Sequence, residues 1–457
     1  MKTSNLLRIT AIAPVLAGSI AACATSADPS DGTESAAANA GPKKITIKTH
    51  PEGAPFGYTT NTTLVAFQDG NGAWKELTGT SGVYTATATG AQYAVATACL
   101  EKHSETYVTS RVAVYYLTTS DTSVVDDNGC TPTAQNVNVT ATLKDIPAKQ
   151  IAELRFGQTQ IGASGPMPGF TTTPKGEPVD PILLSYDNST GLIAGVPSLV
   201  YRAPAITAQA DQTLQYDVSA LGVPPESFGL KIDNLVAGEF PSAETRLSTR
   251  STQPAQLIAQ LNAKFAPLDH YYAVPLPAGL LPGDITLLNV VGDLPGNDAV
   301  GPVTFERSIT LGMKTPGSAA VFLPAQLDTA QQPSLDPSPA RRATITFPIT
   351  PATLTTADYQ AAITQVTSEL DGSLANQELD VVLGAGRAAG QTSVTVTTPD
   401  LTGLADWSPR MAFSSNGETS WSMSRNDRNV ARGAAPSDGM EILTSTVSGM
   451  LSSIDSK

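Results

Sequence analysis

The chain has 457 residues, with 41 acidic and 27 basic side chains and a net charge of −14. Only 15% of residues are charged, 41% are hydrophobic, and Gly (37) and Pro (34) are frequent. This composition argues against a coiled coil and against nucleic-acid binding, because an acidic chain repels phosphates. With three cysteines it is not a disulfide-dense miniprotein.

The N-terminus is laid out as an export signal. Lys2 and Arg8 form a short positive region, and Ile9 to Ala22 is apolar. That stretch is too short to span the ~30 Å hydrocarbon core of a bilayer. It ends in Ile20-Ala21-Ala22-Cys23, which resembles the lipobox of bacterial lipoproteins. The resemblance covers only the first 23 residues. It implies cleavage before Cys23, lipidation of Cys23 with acyl chains of the palmitate type, and a membrane partner reached through that lipid. Several chains on one residue anchor firmly where one alone is marginal. Ala24, in place of the Asp that retains such proteins at the inner membrane, implies sorting to the outer membrane of a Gram-negative cell. Residues 1–22 are thus read as signal peptide and 23–43 as a tether. The tether has no aromatic or large aliphatic residue with which to build a core. As a coil it would span roughly 24 Å.

From residue 44 the dominant pattern is alternation, the mark of half-buried strands. Val137, Val139, Ala141 and Leu143 alternate with polar residues, and Val112, Val114 and Tyr116 share one face of another segment. Further strands fit 44–49, 62–68, 73–77 and 82–88. The turn Asp69-Gly-Asn71-Gly72 resembles the start of a calcium loop but lacks the later ligands, so a hairpin turn is expected. Residues 44–147 therefore read as an antiparallel sandwich of immunoglobulin-like type. Cys99 and Cys130 are expected to pair in a disulfide if the protein is exported. Closing their ~31-residue loop would contribute about 3.7 kcal/mol. A metal or catalytic thiol is the alternative, but no His lies at ligand spacing to either, although His103 is close to Cys99 in sequence.

The second region, 148–302, is β-rich and punctuated by Pro and Gly. Phe228, Leu230 and Ile232 alternate, Ile285 to Val291 is an apolar strand, and a helix is expected over 254–265 on the stripe Leu257, Ile258, Leu261 and Phe265. In the third region, 303–457, Val303, Phe305, Ile309, Leu311 and Met313 give one strand and Ile345, Phe347 and Ile349 another. The boundary near 302 is weakly marked, and the last two regions read equally as one domain. A second helix is expected over 356–371, from the stripe Tyr359, Ala362, Ile363, Val366 and Leu370. The segment after Asp438 fits a helix or a strand. The fold class is mainly β, with one or two short helices.

Chemistry-bearing motifs are few. Gly384-Ala-Gly386-Arg-Ala-Ala389 follows a strand as a dinucleotide motif would, but the strand-like Gln391 to Thr398 follows where a helix is needed. A hairpin loop joining 379–383 to 391–397 is expected instead. The three histidines, His50, His103 and His270, form no zinc motif. No catalytic residue, metal site or cofactor is assigned. Trp407, Arg410, Trp421, Arg425 and Arg428 cluster around a turn, with strands expected at 408–414 and 418–424. They form either a ligand surface of aromatic rings and guanidinium groups or a core Trp with arginines paired to Asp406 and Asp427. The reading is a lipid-anchored cell-envelope protein with a non-enzymatic binding or structural role, its partner a glycan or an envelope protein. The alternatives are a secreted hydrolase acting on polysaccharide or peptide, and a subunit of an envelope assembly or transport complex.

Overall fold

The structure is a computed structural model. It describes residues 42–451, apart from 50–58, 81, 105–106, 128–135, 157–158, 164–167, 177, 188–194, 250–254, 264–267, 275–279, 282, 298–301, 328–331, 337–340, 369–373, 415–416 and 433. The chain is mainly β, as its alternation requires, and its strands assemble into seven sheets among the described residues.

One twelve-stranded sheet dominates. In spatial order it runs Gln256–Asn262, Phe240–Ser248, Ile285–Asn297, Pro302–Met313, Glu441–Met450, Glu418–Arg428, Thr356–Ser368, Leu374–Leu383, Tyr107–Thr118, Gln92–Ser104, Thr59–Asp69 and Lys75–Glu76. Its strands come from all three expected regions. Neighbours pair antiparallel except at one seam, where Leu374–Leu383 lies parallel to Tyr107–Thr118 and joins the two ends of the chain. Parallel neighbours cannot be linked by a tight turn, and here the linking chain includes four of the other six sheets whole.

Odd-numbered residues of the central strands bury one face. Tyr359, Ala361, Ile363, Leu379, Val381, Trp421, Met423 and Val447 form its main core. A second layer covers them, made of Ser334–Leu335, Ala343–Pro348 and Ser393–Thr397. Phe347 of this layer meets Tyr359 with ring centroids 6.2 Å apart. Further along, the small sheet His270–Ala273, Glu226–Ile232 and Ala319–Val321 covers Leu288, Val290, Ile309 and Leu443. Between these covers the buried Arg307 replaces an apolar residue. Its Nε donates to Glu239 Oε1 at 2.9 Å and its Nη2 to Oε2 at 2.5 Å. Each guanidinium bond to a carboxylate offsets part of the cost of burying the charges.

On the opposite face, Ile45, Ile47 and Val125 pack against Val65, Tyr93, Val95 and Tyr115. They come from the sheet Val83–Ala88, Lys43–Thr49 and Val124–Asp127. The first expected sandwich is present in this form, though Lys43–Thr49 runs parallel to Val124–Asp127. Asn136–Lys144, expected in that sandwich, instead pairs with Pro168–Pro174 and Gln212–Asp217 in a second one. At the junction with the large sheet, the buried Arg202 meets Asp180 at 2.6 Å and Asp284 at 3.2 Å.

Both helix expectations are corrected: 256–262 and 356–368 are strands. The first carries a bulge. Thr245 faces Ala259 while Arg246 faces Leu257, so Ile258 is skipped in the register. The bulge buries Ile258 and Ala259 in succession, and with Leu261 they mimic a helical stripe. In the second, Ala357, Tyr359, Ala361 and Ile363 are buried while Val366 is 51% exposed, which is a period of two. The segment after Asp438 resolves as the strand Glu441–Met450. The short helices lie elsewhere, at Val218–Leu221 and Ala385–Ala388.

The glycine string is also corrected. Leu374–Leu383 already has a neighbour on each side, so it has no edge to offer Ser393–Thr397. The chain instead leaves the large sheet through the turn at Ala385–Ala388 and crosses to the second layer, where Ser393–Thr397 pairs with Ala343–Pro348.

Candidate functional site

Of the two readings of the aromatic and arginine cluster, the ligand surface does not assemble, while the core Trp and an arginine paired to Asp427 are present. Residues 408–414 are not a strand; Pro409–Met411 is a single 3-10 turn. Trp421 is 2% exposed in the main core, and Trp407 packs against the same core. Arg425 shares the Trp421 face but is engaged by Asp427 Oδ2 at 2.8 Å and by the Pro351 carbonyl at 2.6 Å. Arg428 lies on the opposite face, its Nε 3.5 Å from Asp358 Oδ1, and the same carboxylate receives Arg432 at 3.2 Å. Arg410 is exposed on the 3-10 turn. Alternation along one strand has placed the sequence neighbours on different faces.

Of the expected lipid and sulfur residues, Cys23 and Cys130 lie outside the described residues. Cys99 is fully buried. Its pairing with Cys130 is a proposal. His50 lies outside the described residues, while His270 Nδ1 sits 2.6 Å from Asp269. The Asp69 turn is closed by the Gly72 N–H donating to the Asp69 carbonyl at 2.9 Å, while the Asp69 carboxylate accepts from the Thr89 N–H at 3.0 Å.

The structure assembles a different site, at the place where the second layer stops. Ser393–Thr397 is the terminal strand of that layer, whereas the large sheet beneath continues past Tyr107–Thr118. The step leaves a cleft of about 500 Å³ along the edge of Ser393–Thr397. Its other walls include Gln68, Gln92, Tyr116, Leu383 and Arg387. Side-chain amides, hydroxyls and one guanidinium group thus converge on it.

Each polar wall group is positioned by its element. Tyr116 reaches across from the large sheet, its hydroxyl donating to the Thr397 carbonyl at 2.8 Å. Burial pushes the Tyr116 hydroxyl up to about 12, with Arg387 opposing, so it stays a donor at neutral pH. Arg387 projects from the Ala385–Ala388 turn. Its Nε donates to the Leu117 carbonyl at 3.3 Å and its Nη1 to Gln92 Oε1 at 2.5 Å. Burial lowers the Arg387 pKa, with Tyr116 and Asp121 opposing. The turn is held from below by Asp121, whose Oδ1 accepts from the Gly386 N–H at 2.7 Å while Oδ2 accepts from the Thr118 N–H at 2.6 Å. Burial raises the Asp121 pKa against these hydrogen bonds. The Gly386 N–H therefore faces a carboxylate of the protein, and the Gly384, Arg387 and Ala388 N–H groups are taken by backbone carbonyls, so this turn offers no phosphate cradle.

Apart from Asn71 and Arg387, which fall in the calcium-like and dinucleotide-like strings, no residue of this cleft stands out in the sequence as a site. Arg387 was visible only as the non-glycine part of a loop, and the wall residues are distant in the chain. No local spacing marks them.

No family model matches the chain, and no curated protein matches it. Among solved structures it is similar to the Streptococcal ancillary pilin, with 8% identity over 62% of this chain and 98% of that one, at a TM-score of 0.13. It is also similar to chicken CNTN1 FN1-FN3 domains, with 10% identity over 66% of this chain and 89% of that one, at a TM-score of 0.11. Likenesses at such scores leave function to be read from the chain's own residues.

Proposed function

We propose that this chain is a lipid-anchored protein of the bacterial cell envelope, held through Cys23 and sorted to the outer membrane, with a non-enzymatic binding role. The anchor rests on Ile20-Ala21-Ala22-Cys23 and on Ala24 after it. The binding role is carried by the cleft beside Ser393–Thr397. Its amide and guanidinium groups from Gln68, Gln92, Gln391 and Arg387 are suited to orienting a polar ligand by hydrogen bonds. They lack the ready proton exchange near neutral pH that acid–base chemistry asks of its groups.

The anchor is tested in a Gram-negative host fed labelled palmitate. The full chain is expected to take up label and enter the detergent phase, and Cys23→Ala to do neither. An unlabelled wild type, or a Cys23→Ala variant that keeps its label and membrane fraction, would remove the proposal.

A further inference from the structure

The edge of Ser393–Thr397 that faces the cleft has a definite pattern of backbone groups. Across the strand pair, the Ile349 N–H donates to the Thr392 carbonyl at 3.0 Å and the Thr398 N–H to the Ala343 carbonyl at 2.9 Å. Hydrogen-bonded and non-hydrogen-bonded pairs alternate in an antiparallel ladder. Residues 392, 394, 396 and 398 therefore direct their N–H and C=O inward to Ala343–Pro348, with which they are in register. Ser393, Thr395 and Thr397 direct theirs outward into the cleft. Of these outward groups, the Thr397 carbonyl is engaged by Tyr116. No partner among the described residues is found for the others.

Two features set this edge apart. By contrast a terminal strand of the large sheet, Gln256–Asn262, is capped: the Gln260 N–H donates to the Gly195 carbonyl at 2.9 Å, and Arg155 Nη1 donates to the Leu257 carbonyl at 2.5 Å. Edge strands are also commonly blunted by Lys, Pro or a bulge, and Ser393–Thr397 has none of these. The edge is instead bordered by a floor, because the large sheet extends beneath the missing neighbour.

We infer that the cleft takes an extended acidic polypeptide segment, which adds as a further strand to Ser393–Thr397 with a carboxylate side chain directed at Arg387. The outward N–H and C=O groups recur every second residue, about 7 Å apart, which matches the repeat of another β backbone. The Thr344–Thr397 and Thr346–Thr395 hydroxyl pairs, at 3.0 and 2.9 Å, form a ladder that Ser or Thr on the incoming strand would extend. Arg387 is the one charged side chain among the walls, and a carboxylate is its complement. The inference rests on the binding role proposed above and names the ligand class for it.

The test uses the detergent-solubilised full chain and a labelled peptide, Ser-Thr-Val-Thr-Glu-Thr-Val-Thr-Ser, read by fluorescence anisotropy. Two comparison peptides carry Lys in place of Glu, or N-methyl groups on alternate backbone amides. Saturable binding is expected, weakened about tenfold or more by either change. Thr395→Pro removes one outward donor without touching the inward ladder, and is expected to weaken binding to the same degree with the melting temperature kept. Arg387→Gln is expected to erase the preference for Glu over Lys while retaining dependence on the unmethylated backbone. The inference is overturned if no peptide binds, if the methylated peptide binds equally, if Thr395→Pro binds as wild type does, or if only neutral oligosaccharides occupy the cleft. Loss of label in Cys23→Ala bears on none of these readouts, so anchor and ligand class fail separately.

Discussion

The two faces of the twelve-stranded sheet are made by the same strands and have opposite chemistry. Along Glu418–Arg428, Thr419, Trp421, Met423 and Asp427 are buried, while Ser420, Ser422, Ser424 and Asn426 are half-buried. The next strand repeats the pattern, with Leu443, Ser445 and Val447 inside and Thr444, Thr446 and Ser448 on the other face. Beside them lie Thr304, Glu306, Ala362 and Thr364, with the buried Ser308 in the same row. One face carries aromatic and aliphatic bulk under two covering layers. The other is a field of short hydroxyl side chains, covered among the described residues where Lys43–Thr49 crosses it and where Met440 packs on Ile285 and Leu287. The difference shows where stability is stored. Hydroxyl groups keep their hydration on an open face and add little, whereas a buried ring contributes through the area it removes from water.

The comparison is broken most directly by one substitution on each side of a single strand. Trp421→Ala opens a cavity in the main core, and a loss of about 3–5 kcal/mol is expected. Ser422→Ala, one residue on, should fall within about 0.5 kcal/mol of wild type. Urea denaturation followed by circular dichroism measures both. A loss at Ser422 comparable to that at Trp421 would mean that this face is covered in the folded protein.

This two-sidedness is also what the sequence displayed most clearly. Val303, Phe305, Ile309 and Leu311 announced their strand, and so did Ile345 and Phe347, because a face buried on one side writes a period of two. The bulge at Ile258 hid the same signal by burying two successive residues. At Tyr359, alternate and helical spacing share residues 359 and 363, and only the neighbouring strands select between them. The seam between Tyr107–Thr118 and Leu374–Leu383 left no local trace, since parallel partners need no turn residues. The cleft is a consequence of that seam. It brings Tyr116 and Gln92 beside Arg387 and Thr395, and no spacing along the chain encodes that meeting. Trp421 and Arg428 show the converse, near in sequence and divided by the sheet.

The seam itself depends on a close approach. Gly386 lies against Thr118 and Asp121, and a Cβ there would fall well inside van der Waals contact with the Thr118 hydroxyl. Gly386→Ala is therefore expected to cost about 1–3 kcal/mol through overpacking. Gly403→Ala, whose Cβ would meet nothing within 4 Å, serves as the control and should be near neutral. If the two substitutions cost the same, the turn does not hold the seam. In the anisotropy assay, Gly386→Ala should also weaken peptide binding, because it displaces the turn that carries Arg387.

The smallest expected effect belongs to a place where the open face brings three carboxylates together. Glu306 stands directly across from Asp293, with Glu244 on the next strand. Burial, with Asp293 and Glu244 adding repulsion, pushes Glu306 up from 4.5 to about 7. Between those values the folded chain keeps a proton that the unfolded chain has lost. Stability contributed by this group is therefore full below about pH 4.5 and declines as pH rises to about 7, with no further change above. Asp380, raised by burial to about 6 with Arg111 opposing, gives a decline of the same sign that ends earlier. Glu306→Gln should match wild type at pH 4.5 and melt about 1–3 °C higher at pH 8, the gap kept small because solvent screens a half-buried carboxylate. Its remaining decline should lie below about pH 6, where Asp380 still titrates. A wild-type melting temperature that rises between pH 5 and 8 would reverse the sign of this argument. A Glu306→Gln curve parallel to wild type would show that the carboxyl is as hydrated in the folded chain as in the unfolded one.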